Sequence, residues 1–307
     1  MIAIPRQRTL RRRAVSRRRE DRAGYWFILP ATVLFLAVIA FPLVYIAWMS
    51  VYAWNGLSPH KAFVGLTNYR TLFGDPLFLV SLRNNIIWMI GANAVPVVLG
   101  FLLAVAVNGK LRGASFYRIV FFLPYVLPGV AVYLVWNVIY NPLSGLFNAT
   151  LGLVHLGGLQ HDWLGSTDTA LLSVLAAGSW QYTGFCFALF LASLQSISSD
   201  VFDAARVDGA GAWSQLTRII VPMMRAPITV VVVLTMIGSF KVFDIVYVMT
   251  SGGPDNASQV LAGDIYSTAF LSSQIGYASA MAVGLMILVI AFALIGALIT
   301  RDRGEVD

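Results

Sequence analysis

Six apolar runs, each long enough to cross a bilayer as a helix, constrain this chain more than any other feature. A spanning helix takes about 20 residues, and the runs fall at 25–49, 85–107, 117–139, 170–194, 228–249 and 278–300. With 58% hydrophobic and only 11% charged residues, the chain carries more apolar surface than one globular core can cover. The expected fold class is therefore all-α and integral to the membrane: a bundle of six transmembrane helices. Pro42, Pro96, Pro124 and Pro128 lie inside or at the edge of these runs. A membrane bundle tolerates them because neighbours satisfy the backbone groups they free, and kinks are expected there.

Charge sets the orientation. Nine arginines precede Gly24 against Glu20 and Asp21, and this surplus equals the whole net charge of +7. Directly ahead of an apolar helix, such a run holds its end on the cytoplasmic side, near anionic lipid, rather than on nucleic acid. The run 25–49 exceeds the roughly 7 to 15 residues of a signal-peptide core and no A-x-A site follows it, so it stays as the first span. An inside N-terminus leaves Lys61, Arg70 and Arg83 as the outer cations, while 17 lysines and arginines fall inside. Both termini then face the cytoplasm. The expected organisation is a basic tail over 1–23, a transmembrane domain over 24–300 with a cytoplasmic hairpin at 198–225, and a short tail over 301–307.

The residues for catalysis are missing. Cys186 is the single cysteine and sits in an apolar run, so neither an intrachain disulfide nor a cysteine metal site is available. His60, His155 and His161 fall on outer segments without metal-ligand spacing. No G-x-x-x-x-G-K-[ST] loop is present: Gly109 and Lys110 are followed by Leu111. "TSGGP" at 250–254 is an outer turn carrying Pro254, not an ATPase signature. The chain is expected to be no enzyme and to hold no cofactor of its own.

Transport has better candidates. Charged groups inside a bilayer are costly enough to mark function, and the fifth run contains Lys241 and Asp244, which share one face of a continuous helix at i, i+3. Two readings stand: an ion pair that stabilises the bundle, or a pathway lining in which Ser239, Lys241 and Asp244 meet solute hydroxyls. In the fourth run, "GSWQYTGF" places Trp180, Gln181 and Tyr182 in an otherwise aliphatic helix. Aromatic faces can stack on a solute and an amide both donates and accepts, although aromatics in spans also simply pack or form interfacial belts.

Between the fourth and fifth runs lies "DAARVDGAGAWSQLTRIIVP", residues 203–222. Ser199 and Asp200 suit a helix start, with Phe202, Ala205 and Val207 supplying part of an apolar side. Gly209 and Gly211 interrupt it, and Trp213, Leu216, Ile219 and Ile220 then recur at helical spacing until Pro222 limits further helix. Periodicity alone describes an amphipathic hairpin lying on the bundle ends.

The run from Asp203 to Ala210, with Ile219 and Pro222 at I-x-x-P spacing, resembles the EAA loop of ABC-transporter membrane subunits. "FVGLTNYRTLF", "KLRGASFYRIVFFLPYVLPGVAV" and "FKVFDIVYVMTSGGP" extend the resemblance over nearly the whole chain. They resemble the sugar-permease branch of binding-protein-dependent importers, the maltose, lactose and glycerol-phosphate type. Asp203 departs from the usual Glu but keeps the charge.

The resemblance implies that Asp203, Ala204, Ala205, Asp208, Gly209, Trp213, Ile219 and Pro222 form a coupling region seated in a groove of an ATPase. It points to Trp180, Gln181, Tyr182 and Phe185 as solute contacts. It also implies a bacterial inner-membrane complex with a second permease subunit, two ABC ATPase subunits holding ATP and Mg, an extracytoplasmic solute-binding protein and a carbohydrate solute. The rivals are an ion-coupled secondary transporter built on Lys241 and Asp244, and a membrane anchor whose working part is the arginine tail.

Overall fold

The computed structural model describes residues 27–109 and 113–301, apart from the side chains of 297–301. The basic tail over 1–23, Lys110, Arg112 and Arg303 lie outside the described residues.

Helix α1 (Phe27–Met49) leads into a hairpin of β1 (Tyr52–Ala53) and β2 (Ala62–Phe63), antiparallel with Tyr52 opposite Phe63. These are the only strands among the described residues, and helices make up the rest. They are α2 (Thr67–Gly74), α3 (Pro76–Asn108), α4 (Ala114–Val126), α5 (Gly129–Ile139) and α6 (Leu146–Leu153). There follow α7 (Ala170–Gln195), α8 (Ser199–Val207), α9 (Ala212–Met223), α10 (Arg225–Ser239) and α11 (Asp244–Met249). Last come α12 (Leu261–Tyr266, carried on by a π turn to Leu271) and α13 (Ile275–Arg301).

Four helices, α1, α3, α7 and α13, are long and apolar enough to cross a membrane, and the count reaches six if two bent pairs are each one span. The pairs are α4 with α5, bent by 96°, and α9 with α10, bent by 69°. The expected span 117–139 is thus not a single rod. Pro128 disfavours helical backbone at Leu127, whose ψ is 144°, and the chain turns there. Pro96, by contrast, sits inside an unbroken α3. That helix starts nine residues before its expected span because Asp75 caps it, accepting from the Leu77 N–H at 2.9 Å, with Pro76 in the first turn.

The expected span 228–249 is also divided: α10 stops at Ser239 and α11 starts at Asp244. The cause lies in α3. Asn85 donates its side-chain amide to the Ser239 carbonyl at 3.2 Å, the acceptor that a continuous helix would offer to the Phe243 N–H. Asn85 Oδ1 in turn accepts from the Leu261 N–H at 2.7 Å. Its neighbour Asn84 donates to the carbonyls of Ala257 and Gln259. These two buried amides tie the break and the segment ahead of α12 to one helix.

The core is a seam between α3 and α7. A Cβ at Gly100 would lie 2.6 Å from Cys186 Cβ and 2.8 Å from the Phe187 nitrogen, so only glycine permits this approach. Ala104, Val107, Cys186, Phe187 and Phe190 fill one end of the seam with Ile220 and Met224. Trp88, Val174, Ala177, Ile245 and Val260 fill the other.

Candidate functional site

Between these two clusters lies a cavity of about 220 Å3, walled by α3, α5, α7, α10 and the break after Ser239. The break supplies its charge. Lys241 lies in the unwound stretch and Asp244 opens α11, so the two do not share a continuous helix face as the spacing predicts. No ion pair joins them; among the described residues the one ion pair is Arg206 with Asp203. Both nevertheless line the cavity, together with Ser239, Gln181 and Tyr182.

Each wall has a local reason. Gln181 donates through Nε2 to the Leu127 carbonyl at 3.3 Å, holding the bend between α4 and α5 against α7. The Tyr182 ring stands edge-on to Tyr125, with centroids 6.2 Å apart. Ser239 Oγ donates to the Thr235 carbonyl at 2.7 Å.

Two residues expected with these lie elsewhere. Trp180 faces away from the cavity, packs edge-on against Trp136 at 5.7 Å and borders an apolar groove between α3, α4 and α7. Phe185 packs at a tilt against Tyr125 and Tyr182, each at 5.1 Å, beside the Ala104–Phe190 end of the seam. Residues 180 and 181 point roughly 100° apart on a helix, and with apolar residues on every side of α7 no stripe distinguishes the cavity face. The cavity also takes in Trp88, Tyr133, Thr235 and Ser179, which sequence reasoning did not single out. Of these, Ser179 lies within "GSWQYTGF", where its larger neighbours Trp180, Gln181 and Tyr182 carry the stronger signal. Its Oγ is the one buried side-chain polar atom without a hydrogen-bond partner among the described residues.

At the other end of α10 stands the hairpin of α8 and α9. Its N-cap is Ser198, not Ser199 or Asp200: Ser198 Oγ accepts from the Asp200 N–H at 3.3 Å. The turn closes as a Schellman motif, with the Ala210 N–H donating to the Ala205 carbonyl and the Gly209 N–H to the Arg206 carbonyl. Gly209 has φ +74°, as that position requires. Gln215 Nε2 donates to the Ala210 carbonyl at 2.7 Å and fixes the turn to α9.

Phe202, Leu216 and Ile220 pack on the cluster of Ala104, Val107, Phe187 and Phe190, Ala205 is buried, and Ile219 and Pro222 are half-buried. The expected apolar stripe needs two corrections. Val207 is 88% exposed and Trp213 76% exposed. A π turn over Leu216–Ile220 adds a residue to that turn and breaks the register between Trp213 and the residues that anchor α9. Helix also continues past Pro222 to Met223, since the π turn closes by the Val221 N–H onto the Leu216 carbonyl and needs no donor from Pro222. Asp203 accepts from Arg206 at 2.7 Å on the exposed face, with Ala204 and Asp208 exposed beside it.

A family profile described as binding-protein-dependent transport system inner membrane component matches residues 96–303. The chain is 39% identical over 272 residues to the probable ABC transporter permease protein YurN of Bacillus subtilis, covering 88% of this chain and 93% of that one. It is 33% identical over 302 residues to the diacetylchitobiose uptake system permease protein NgcF of Streptomyces coelicolor, covering 92% and 84%. Among solved structures, a chain of a bacterial ABC transporter involved in the import of the acidic polysaccharide alginate superposes with a TM-score of 0.82 at 20% identity. That match covers 94% of this chain and 99% of the other.

Proposed function

The chain belongs to the binding-protein-dependent transport system inner membrane components, the permease subunits of ABC importers, and from that premise we propose that it forms half of a carbohydrate pathway. One observation carries the reading: α10 is a single 15-residue helix that begins at the exposed hairpin and ends at the polar cavity. A displacement at one end is thereby conveyed to the other.

In this reading the hairpin docks on an ATPase subunit. Exposed Trp213 and Val207 enter its groove, Asp203 offers a carboxylate to its donors, and Gly209 keeps the tip tight. ATP and Mg stay in the two partner ATPases. A second permease closes the cavity from the other side, and a solute-binding protein delivers a carbohydrate from outside the inner membrane. Gln181, Tyr182, Ser239, Lys241 and Asp244 offer that solute donors, acceptors and one aromatic face. Trp180 and Phe185 act through packing. The ion-coupled alternative has no support, since Lys241 and Asp244 do not pair and the named relatives are ABC or sugar-uptake permeases.

The test is affinity copurification from native membranes, followed by reconstitution of the captured complex into liposomes. The liposomes are offered ATP inside and, outside, the native extracytoplasmic protein fraction that holds the solute-binding protein with a mixed pool of mono- to tetrasaccharides from hydrolysed starch, chitin and alginate, and retained solutes are read by mass spectrometry. The wild type brings an ABC ATPase and a second permease and retains saccharide. Gly209→Pro, which cannot adopt φ +74°, loses the ATPase. A wild type that purifies alone, or a complex that retains no saccharide, defeats the reading.

A further inference from the structure

Beyond the cavity, the chain carries a partly open pocket of about 190 Å3 between α11, the turn after it and α12. Phe243 lines both spaces. From it a row of aromatic rings leads away: the Phe243 centroid stands 5.2 Å from Tyr247 and 5.5 Å from Tyr266, these two are 5.6 Å apart, and Tyr266 is 5.4 Å from Phe270. Phe243 and Tyr266 are half-buried, Tyr247 is exposed, and the row ends at Phe270, 70% exposed.

The floor of this pocket is polar and rigid. Gln259 is buried, with its Oε1 accepting from the Val260 N–H at 3.2 Å. The backbone closes on its amide at two glycines: a Cβ at Gly252 would come within 2.8 Å of Gln259 Cδ, and one at Gly263 within 2.5 Å of Oε1. Ser251 and Ser267 complete the rim. Aromatic walls around a fixed amide and hydroxyls match a pyranose ring, whose faces of axial C–H groups stack on aromatics while its equatorial hydroxyls bond at the edge. An aromatic belt at a lipid interface needs only the rings; it does not need a buried amide set into a pocket that shares the Phe243 wall with the central cavity.

We propose that this pocket is a second saccharide subsite, one ring outward of the central cavity and joined to it across Phe243. The inference rests on the carbohydrate reading given above. It adds that the solute is at least two rings long, one ring in each space, and that the row Phe243, Tyr247, Tyr266 and Phe270 receives it from outside.

The experiment uses the same reconstituted complex and saccharide pool, with wild type beside Tyr247→Ala, Tyr266→Ala and the ring-retaining Tyr247→Phe and Tyr266→Phe. Copurification of the ATPase and a monodisperse elution profile verify assembly of each variant. The wild type retains saccharides of two rings or more. Each alanine variant lowers that uptake about fivefold to tenfold through a raised half-saturation concentration, and each phenylalanine variant stays within about twofold of wild type. The subsite is overturned if the alanine variants match wild type, if the phenylalanine variants fall as far as the alanine ones, or if only monosaccharides are retained. A wild type that retains no saccharide at all overturns the carbohydrate reading and the subsite together, an outcome distinct from the other three.

Discussion

Ser179 and Asp264 are the two residues whose surroundings ask most of them. A buried hydroxyl without a partner carries a desolvation cost of about 1–3 kcal/mol, and Ser179 Oγ meets that description in the cavity wall. Ser179→Ala is therefore expected to leave the Tm of the purified protein unchanged or higher, while lowering uptake of the native solute. A fall in Tm would show that the hydroxyl has a protein partner after all.

Asp264, in the segment between the last two spans, is 1% exposed. Burial pushes its carboxyl up from 3.8 to about 6, against the opposing hydrogen bond from Ser81 and with a further push from Asp75. The folded state therefore binds a proton that the unfolded state releases, and stability from this group is full below about pH 4 and lost as pH rises through about 6. The loss amounts to about 3 kcal/mol at most. Asp264→Asn keeps an acceptor for Ser81 without the charge. Its Tm, relative to wild type, should climb between about pH 4 and pH 6 and level off above. A difference that does not vary with pH would mean Asp264 stays ionised throughout.

Among the elements, the break between α10 and α11 depends on a residue 154 positions away, Asn85. Asn85→Ala leaves the Leu261 N–H unsatisfied and returns the Ser239 carbonyl to its own helix. We expect a loss of about 1–3 kcal/mol, together with altered modification of a Lys241→Cys thiol by a water-soluble maleimide as the break closes. Unchanged labelling would place the cause of the break elsewhere.

The same case shows where the sequence stops being legible. The spans could be read because about 20 apolar residues in a row have few other uses, and the Gly209 turn because glycine has a local reason to be there. Lys241 and Asp244 stand out by their cost in a bilayer and both line the cavity, yet their relation to each other follows an amide on another helix, which no local pattern encodes. Trp180 stands out over Ser179 in the sequence of α7 because size and aromaticity are visible there, while direction around a uniformly apolar helix is not.

For the whole molecule, the expected orientation has a clean assay, because Cys186 is completely buried and single-cysteine variants need no prior removal of the native thiol. Leu57, in the segment after α1, and Val207, at the end of α8, are 85% and 88% exposed, and the charge-based topology puts them on opposite sides of the membrane. A membrane-impermeant maleimide should label Leu57→Cys in cells with a permeable outer boundary, and Val207→Cys only once the inner membrane is opened. The reverse pattern would invert the arginine-based topology.

The joint between α9 and α10 bears on the molecule as a machine. Met224, at the 69° bend, is 1% exposed, and its N–H and carbonyl both remain in the helical hydrogen-bond chain, to Ile220 and from Ile228. It is thus a clamped elbow rather than a loose pivot. Helix α9 is about 18 Å long at 1.5 Å per residue, so swinging its tip through 3 Å requires a rotation of about 10° at the elbow. Under the proposed docking role, an elbow packed into the core would pass such a rotation on to α10, as a crank turns its shaft.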